Sequence, residues 1–276
     1  IVELAKNTPE LSILVEAVVA ADLAATLSTG TLTVFAPTNA AFAALLTELG
    51  VSKEALLANK PLLTAVLTYH VLGSTVARAD VPLGKAITPV SGGFFKIESN
   101  NGLKITDGRN RVSTITATDI QARNGVVHLV DRVLLPADKD IVATASALPD
   151  FSILVEAVVA AGLASTLQGT GPFTVFAPTN AAFAALLTEL GVSKADLLAN
   201  TALLTKVLTY HVVPARVLKA EVPVNTAITT VQGQSFTVNS SLVITDQNMR
   251  TSSIVATDVF TSNGVIHVVD KVILPK

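Results

Sequence analysis

The chain has 276 residues, half of them apolar, a net charge of −2 and no cysteine. That length can bury a substantial core in one or two domains. The composition offers no basic surface to nucleic acid, no disulfide, thiol nucleophile or thiolate metal site, and no run of the ~20 apolar residues that a spanning helix needs.

In chain order, Leu11, Leu14, Val15 and Val18 follow the spacing of one buried helix face and predict a first helix. Thr33 to Phe35 predicts a strand, Ala36-Pro37-Thr38 a turn, and Asn39 (or Thr38) the cap of a second helix with Phe42, Leu45, Leu46 and Leu49 inward and Gly50 closing it. Ser52 opens a further turn, and Pro61 starts a third helix that buries Leu62, Val66 and Tyr69. From Ala86 the period changes to that of strands, in "FFKIES", "GLKIT", "VSTITATDIQA" and "GVVHLVDRVLL". Arg123-Asn124-Gly125 predicts a hairpin, because Asn-Gly accepts positive φ, and makes the last two strands antiparallel neighbours.

The whole pattern then repeats. "TVFAPTNAAFAALLTELGVSK" begins at Thr33 and again, unchanged over 21 residues, at Thr174; "SILVEAVVAA" recurs at Ser12 and Ser152, and "LTYHV" at Leu67 and Leu208. The offset shifts between matched blocks, as loops tolerate, so this is a whole-domain duplication. The expected domains are 1–136 and 141–276, joined by residues 137–140. Four residues reach at most ~14 Å, which predicts a restricted, end-to-end arrangement. The expected fold class is α+β: in each copy, a helical layer on a mostly antiparallel sheet.

The identical stretch reads as scaffold, since a phosphate loop would need cradling glycines and a lysine that it lacks. Any acid–base or metal chemistry must use His70, His128, His211 or His267. Asp131 follows His128 by three residues on one predicted strand, so the two side chains point to opposite faces and cannot share a metal. Asp131 and Asp270 therefore read as structural carboxylates bonded to backbone. Asn39, Asn180, Asp119, Asp258, His128 and His267 also stand at matching places in the two copies and read as structural. Arg111 and Arg250 suit a surface ion pair or, alternatively, an anion.

Tyr69-His70 and Tyr210-His211 contain the chain's only tyrosines. Each tyrosine completes an apolar helix face, and each histidine ends that helix, where the dipole favours its protonated form. The pair reads either as stabilising the helix terminus or as exposed for a partner. No arrangement of nucleophile and base emerges, so the expectation is a protein that is not an enzyme and needs no cofactor.

"TVFAPTNAAF", then "LTYHV", then "NGVVHLVDRVLLP", with "NGVIHVVDKVILP" ending the second copy, resemble the fasciclin domain, twice over and along essentially the whole chain. The resemblance implies a wedge of two β-sheets, about seven strands, with helices on one side. It implies a secreted or surface-anchored adhesion module, here of bacterial exported type, and an upstream export segment is expected because the chain starts at Ile1. The expected location is extracellular or cell-surface, with the periplasm as the alternative. By the same resemblance Tyr69, His70, Tyr210 and His211 are the partner-binding candidates, and the partner is a cell-surface or matrix protein or polysaccharide met by two copies. The alternative reading is a carrier of an apolar small molecule such as a pigment or lipid, held between helices and sheet; a hydrolase ranks third.

Overall fold

The computed structural model describes residues 1–276, and the chain divides into two compact units, Ile1–Ala137 and Asp138–Lys276. The expected linker is not a plain spacer. Asp140 caps a helix of the second unit by accepting the Ala143 N–H at 2.7 Å, and the Lys139 carbonyl accepts the Ser262 N–H at 2.8 Å.

The first unit contains helices α1 (Val2–Lys6), α2 (Ser12–Ala20), α3 (Asn39–Leu49), α4 (Lys53–Ala58) and α5 (Lys60–Tyr69). Its strands are β1 (Leu32–Pro37), β2 (Val71–Leu72), β3 (Ala86–Ile87), β4 (Phe95–Ser99), β5 (Leu103–Thr106), β6 (Val112–Ala122) and β7 (Gly125–Val130). They form one sheet in the order β2-β1-β7-β6-β5-β4-β3. Every neighbouring pair is antiparallel except β1 and β7, which run parallel with Leu32 opposite Gly125 and Pro37 opposite Val130.

The wedge is produced by β6. Its first residues, Val112–Thr114, pair with β5, whereas Ile115–Ala122 pair with β7 across two register shifts. A bulge bends a strand and increases its twist, and here it folds the sheet into two layers that share β6.

Strand alternation then sorts the core. Val34 and Ala36 of β1, with Val127 and Leu129 of β7, meet Leu14, Val18, Phe42, Leu45 and Leu63 of the helices. Phe35 and Val130 face the other way and join Tyr69, Phe95, Ile97, Ile105, Ile115 and Leu134 inside the wedge. There Phe35 and Tyr69 meet Phe95 edge-on, at centroid distances of 5.4 and 5.7 Å. Each such buried ring contributes roughly 1.5–3 kcal/mol.

Three local expectations change. Thr38, not Asn39, caps α3, its Oγ1 accepting the Ala41 N–H at 3.3 Å; Asn39 is the first helical residue. Leu49 is 37% exposed, because the helix ends one residue later at Gly50, which takes the left-handed conformation (φ 65°). The hairpin turn consists of Arg123 and Asn124 alone, with Ala122 paired to Gly125. Gly125 has the positive φ (141°) expected of the turn and is required by close approach as well, since a Cβ there would lie 1.8 Å from the Leu32 carbonyl oxygen of parallel β1.

The second unit repeats the plan with α6 (Ile141–Ser146), α7 (Ser152–Ala160), α8 (Ala164–Leu167), α9 (Asn180–Leu190), α10 (Lys194–Ala199) and α11 (Thr201–Tyr210). Its strands are β8 (Phe173–Pro178), β9 (Val212–Val213), β10 (Ile228–Thr229), β11 (Ser235–Val238), β12 (Val243–Thr245), β13 (Thr251–Thr261) and β14 (Gly264–Val269). The sheet order is equivalent, β10-β11-β12-β13-β14-β8-β9.

Candidate functional site

The Tyr-His pair is interior. Tyr69 and His70 are 0% and 1% exposed, and Tyr210 and His211 are the same. Tyr69 donates its hydroxyl hydrogen bond to the Phe94 carbonyl and Tyr210 to that of Ser235 at 3.0 Å. Burial raises both phenols, Tyr210 to about 12. His70 Nδ1 donates to the Val66 carbonyl at 2.7 Å, one turn back in α5, and Nε2 accepts the Leu134 N–H at 2.8 Å. His211 repeats this with Val207 at 2.8 Å and Ile273 at 3.1 Å.

These bonds fix the tautomer: a proton on Nε2 would face an amide hydrogen. Burial lowers both histidines to about 4, so desolvation outweighs the helix dipole that favoured the charged ring. Tyr69, His70, Tyr210 and His211, expected as the partner contact, are thus interior rather than exposed. The pair fastens the end of α5 to the segment after β7.

A second knot lies at the β6 bulge. Asp119 has φ 59°, and its N–H donates to His128 Nδ1 at 3.2 Å. His128 Nε2 donates to the Val76 carbonyl at 2.9 Å, and the Asp119 carboxylate accepts the Arg78 N–H at 2.8 Å. Asp258 and His267 hold Val217 and Lys219 in the same way. Asp131 stands apart, accepting the Thr114 N–H at 2.7 Å and the Ser113 hydroxyl at 3.1 Å, and Asp270 does likewise with Ser253 and Ser252. Asn39 reaches across to α2, where Oδ1 accepts the Ile13 N–H at 3.0 Å and Nδ2 donates to the Pro9 carbonyl and Ser12 Oγ. Asn180 does the same for α7.

Sequence reasoning missed Asp107 and Asp246. Each side chain is 1% exposed. Asp107 accepts the amides of Arg109, Arg111 and Leu135 at 2.9–3.0 Å, and Asp246 accepts those of Asn248, Arg250 and Leu274. Burial raises the Asp107 pKa, against the pull of those amides and of Arg111. The available signal was an aspartate four residues before an arginine in both "TDGRNR" and "TDQNMR". Arg111 is no free anion site: it donates to the Val133 carbonyl at 2.9 Å and lies 3.4 Å from Glu48. Arg250 pairs with Glu189 at 2.7 Å.

These histidines and carboxylates are committed to backbone, and no three His, Cys, Asp or Glu side chains converge on a metal-sized site. The apolar cavities between helices and sheet hold about 30 Å³ in each unit, and a larger one beneath α3, α4 and α5 about 110 Å³. Pockets for small-molecule ligands run to about 300–1,000 Å³, and these three cavities are smaller than that.

The outward surface of α3 is different. Ala40, Ala43, Ala44, Thr47, Glu48, Leu49 and Val51 are exposed, and so are the identical Ala181, Ala184, Ala185, Thr188, Glu189, Leu190 and Val192. On α2 and α7, Val19 and Val159 are 61% and 62% exposed, and the ion pair of Glu16 with Lys53 recurs as Glu156 with Lys194.

The family model of the fasciclin domain matches residues 9–136 and again 149–275. Protein sll1483 of Synechocystis is 44% identical over 138 residues, covering 49% of this chain and 73% of that protein. Pig transforming growth factor-beta-induced protein ig-h3 is 28% identical over 89% of this chain, and human periostin 27% over 89%. The chain spans only 35% and 28% of those two proteins. A solved domain pair from the insect cell adhesion molecule fasciclin I covers 96% of this chain and 97% of its own at 18% identity, with a TM-score of 0.49.

Proposed function

Because the chain belongs to the fasciclin-domain family, we propose that it is a non-catalytic adhesion module that binds an extracellular or cell-surface polymer or protein with the same face of each domain. The family supports the adhesion role. The observation that carries the two-site reading is the exposed α3 surface, which is identical in the two copies from Ala40 to Val51. A core explains identical buried residues; it does not constrain exposed ones. The exposed positions of α5 drift instead: Lys60, Pro61 and Ala65 are matched by Thr201, Ala202 and Lys206.

A partner that meets two equal faces gains from effective concentration, without any strong single contact. The face itself is small-sided and apolar, with Leu49 and Val51 exposed, which suits close packing against a partner surface more than capture of a small ion. Location at the cell surface or outside the cell belongs to this proposal; no helix is long and apolar enough to cross a membrane. The test is a screen of the intact chain against immobilised matrix proteins and cell-surface polysaccharides, repeated with Ala43→Arg and Ala184→Arg. Binding that survives both substitutions together would remove the face from the account.

A further inference from the structure

Three Asn-Gly pairs occur in the chain, at Asn101-Gly102, Asn124-Gly125 and Asn263-Gly264. In such a pair the glycine nitrogen can attack the asparagine side-chain amide, since no Cβ hinders its approach. The three sites differ sharply in what surrounds them.

Asn124 is tied at both ends of its carboxamide: Oδ1 accepts from the Ile1 nitrogen at 2.7 Å, and Nδ2 donates to the Leu27 carbonyl at 3.0 Å. Asn263 is 7% exposed; its Oδ1 accepts the Ile141 N–H, and its Nδ2 donates to the Leu167 and Gly169 carbonyls. Behind both, the glycine lies against the neighbouring parallel strand, where an added Cβ would sit 1.8 Å from the Leu32 oxygen or 2.0 Å from that of Phe173. With both ends of each carboxamide held, Cγ is not free to swing onto the glycine nitrogen. Asn101 and Gly102 instead form the exposed tip of the β4–β5 hairpin, with φ of 50° and 104° and open space around Gly102. Below the tip, Ile97 and Ile105 are 0% exposed, so the hairpin's footing is held while its end is accessible.

We propose that Asn101 is a spontaneous modification site, a slow deamidation clock confined to the first domain. The Gly102 backbone nitrogen, losing its proton to solvent base, bonds to Asn101 Cγ. The Cγ–Nδ2 bond breaks, and the nitrogen leaves as ammonia. Water then opens the succinimide at either carbonyl to give aspartate or isoaspartate. The sum is amide plus water to carboxylic acid plus ammonia, with no redox partner. The product places a new negative charge on a tip that has none among Asn100, Asn101 and Gly102. The second domain has Asn239-Ser240-Ser241 at the corresponding hairpin; Asn239 Oδ1 there accepts the Ser241 and Val243 amides at 2.9 and 3.0 Å, which holds its side chain in the turn.

The test is to age the intact protein at mildly alkaline pH and map peptides by mass and by isoaspartate content. The expected result is a one-dalton gain with isoaspartate at Asn101, none at Asn124 and Asn263, and loss of the signal in Asn101→Gln. In denaturant all three sites should convert, which would locate the protection in the fold. No conversion at Asn101, or conversion of folded Asn124 or Asn263 at the same rate, would overturn the proposal.

Discussion

The two domains keep their interior ties and differ on the β4–β5 hairpin, on the side of the strands that faces away from the wedge interior. In the first, Lys96 pairs with Glu98 at 3.0 Å and Glu98 stands opposite Lys104. In the second the corresponding residues are Thr237, Asn239 and Val243, and Thr237, Thr245 and Thr251 form an uncharged row across three strands. Both versions cover the same packed wedge, so that face is free to vary. The buried Asp, His and Tyr ties are not, since each satisfies backbone groups that the fold would otherwise strand. The α3 surface is exposed and yet identical in the two copies, which is why the proposal places binding there.

The sharpest way to break the comparison is to remove a shared buried carboxylate. Asp107→Ala strands three amides and is expected to destabilise the first domain by about 3–5 kcal/mol; Asp246→Ala should do the same to the second. Hydrogen exchange mapped onto residues 1–137 and 138–276 would read each loss, and protection unchanged by either substitution would refute the role given to these aspartates.

Acid should weaken both domains next. An unfolded histidine titrates near 6.5, while His70 and His211 titrate at about 4 in the fold. Between those values the unfolded chain binds protons that the folded chain does not, so stability falls as pH drops below about 6.5. The loss levels out near pH 4, at about 3 kcal/mol per histidine. In the first domain the raised pKa of Asp107 works in the opposite sense and offsets part of it. His70→Gln should flatten the acid slope of the first domain only. A denaturation midpoint that holds steady from pH 7 to 4.5 would contradict the burial argument.

Smaller effects sharpen the same contrast. Tyr69→Phe and Tyr210→Phe each remove one hydroxyl-to-carbonyl bond, at a cost of about 1 kcal/mol. The first should cost more, because its bond is buried and that of Tyr210 is only partly so. Equal melting temperatures for wild type and Tyr69→Phe would show that the bond contributes nothing.

Most of the fold was legible because periodicity reports burial: the faces of α2 and α5 and the alternation of β5 and of the start of β6 follow it, while β7 reads as a continuous apolar run and is buried along its length. The parallel register of β1 on β7 was not, since a strand of six residues says nothing about its neighbour. The role of Asn39 escaped for a similar reason, as its partners lie 26 to 30 residues away. Tyr69-His70 stood out through rarity, and rarity does not separate a surface pair from a core pair. Asp107 was readable only by asking which charged residue recurs at equal distance from Arg111.

The central claim is that one face, present twice, makes the binding. The direct measurement is the affinity of four full-length proteins for one immobilised partner from the screen: wild type, Ala43→Arg, Ala184→Arg and the double variant. Exposed substitutions of this kind leave stability within about 0.5 kcal/mol, so the readout is binding alone. The account predicts that either single substitution lowers affinity to a common one-site level and that the double substitution abolishes binding. Single variants that bind like wild type, or a double variant no weaker than the singles, would contradict it.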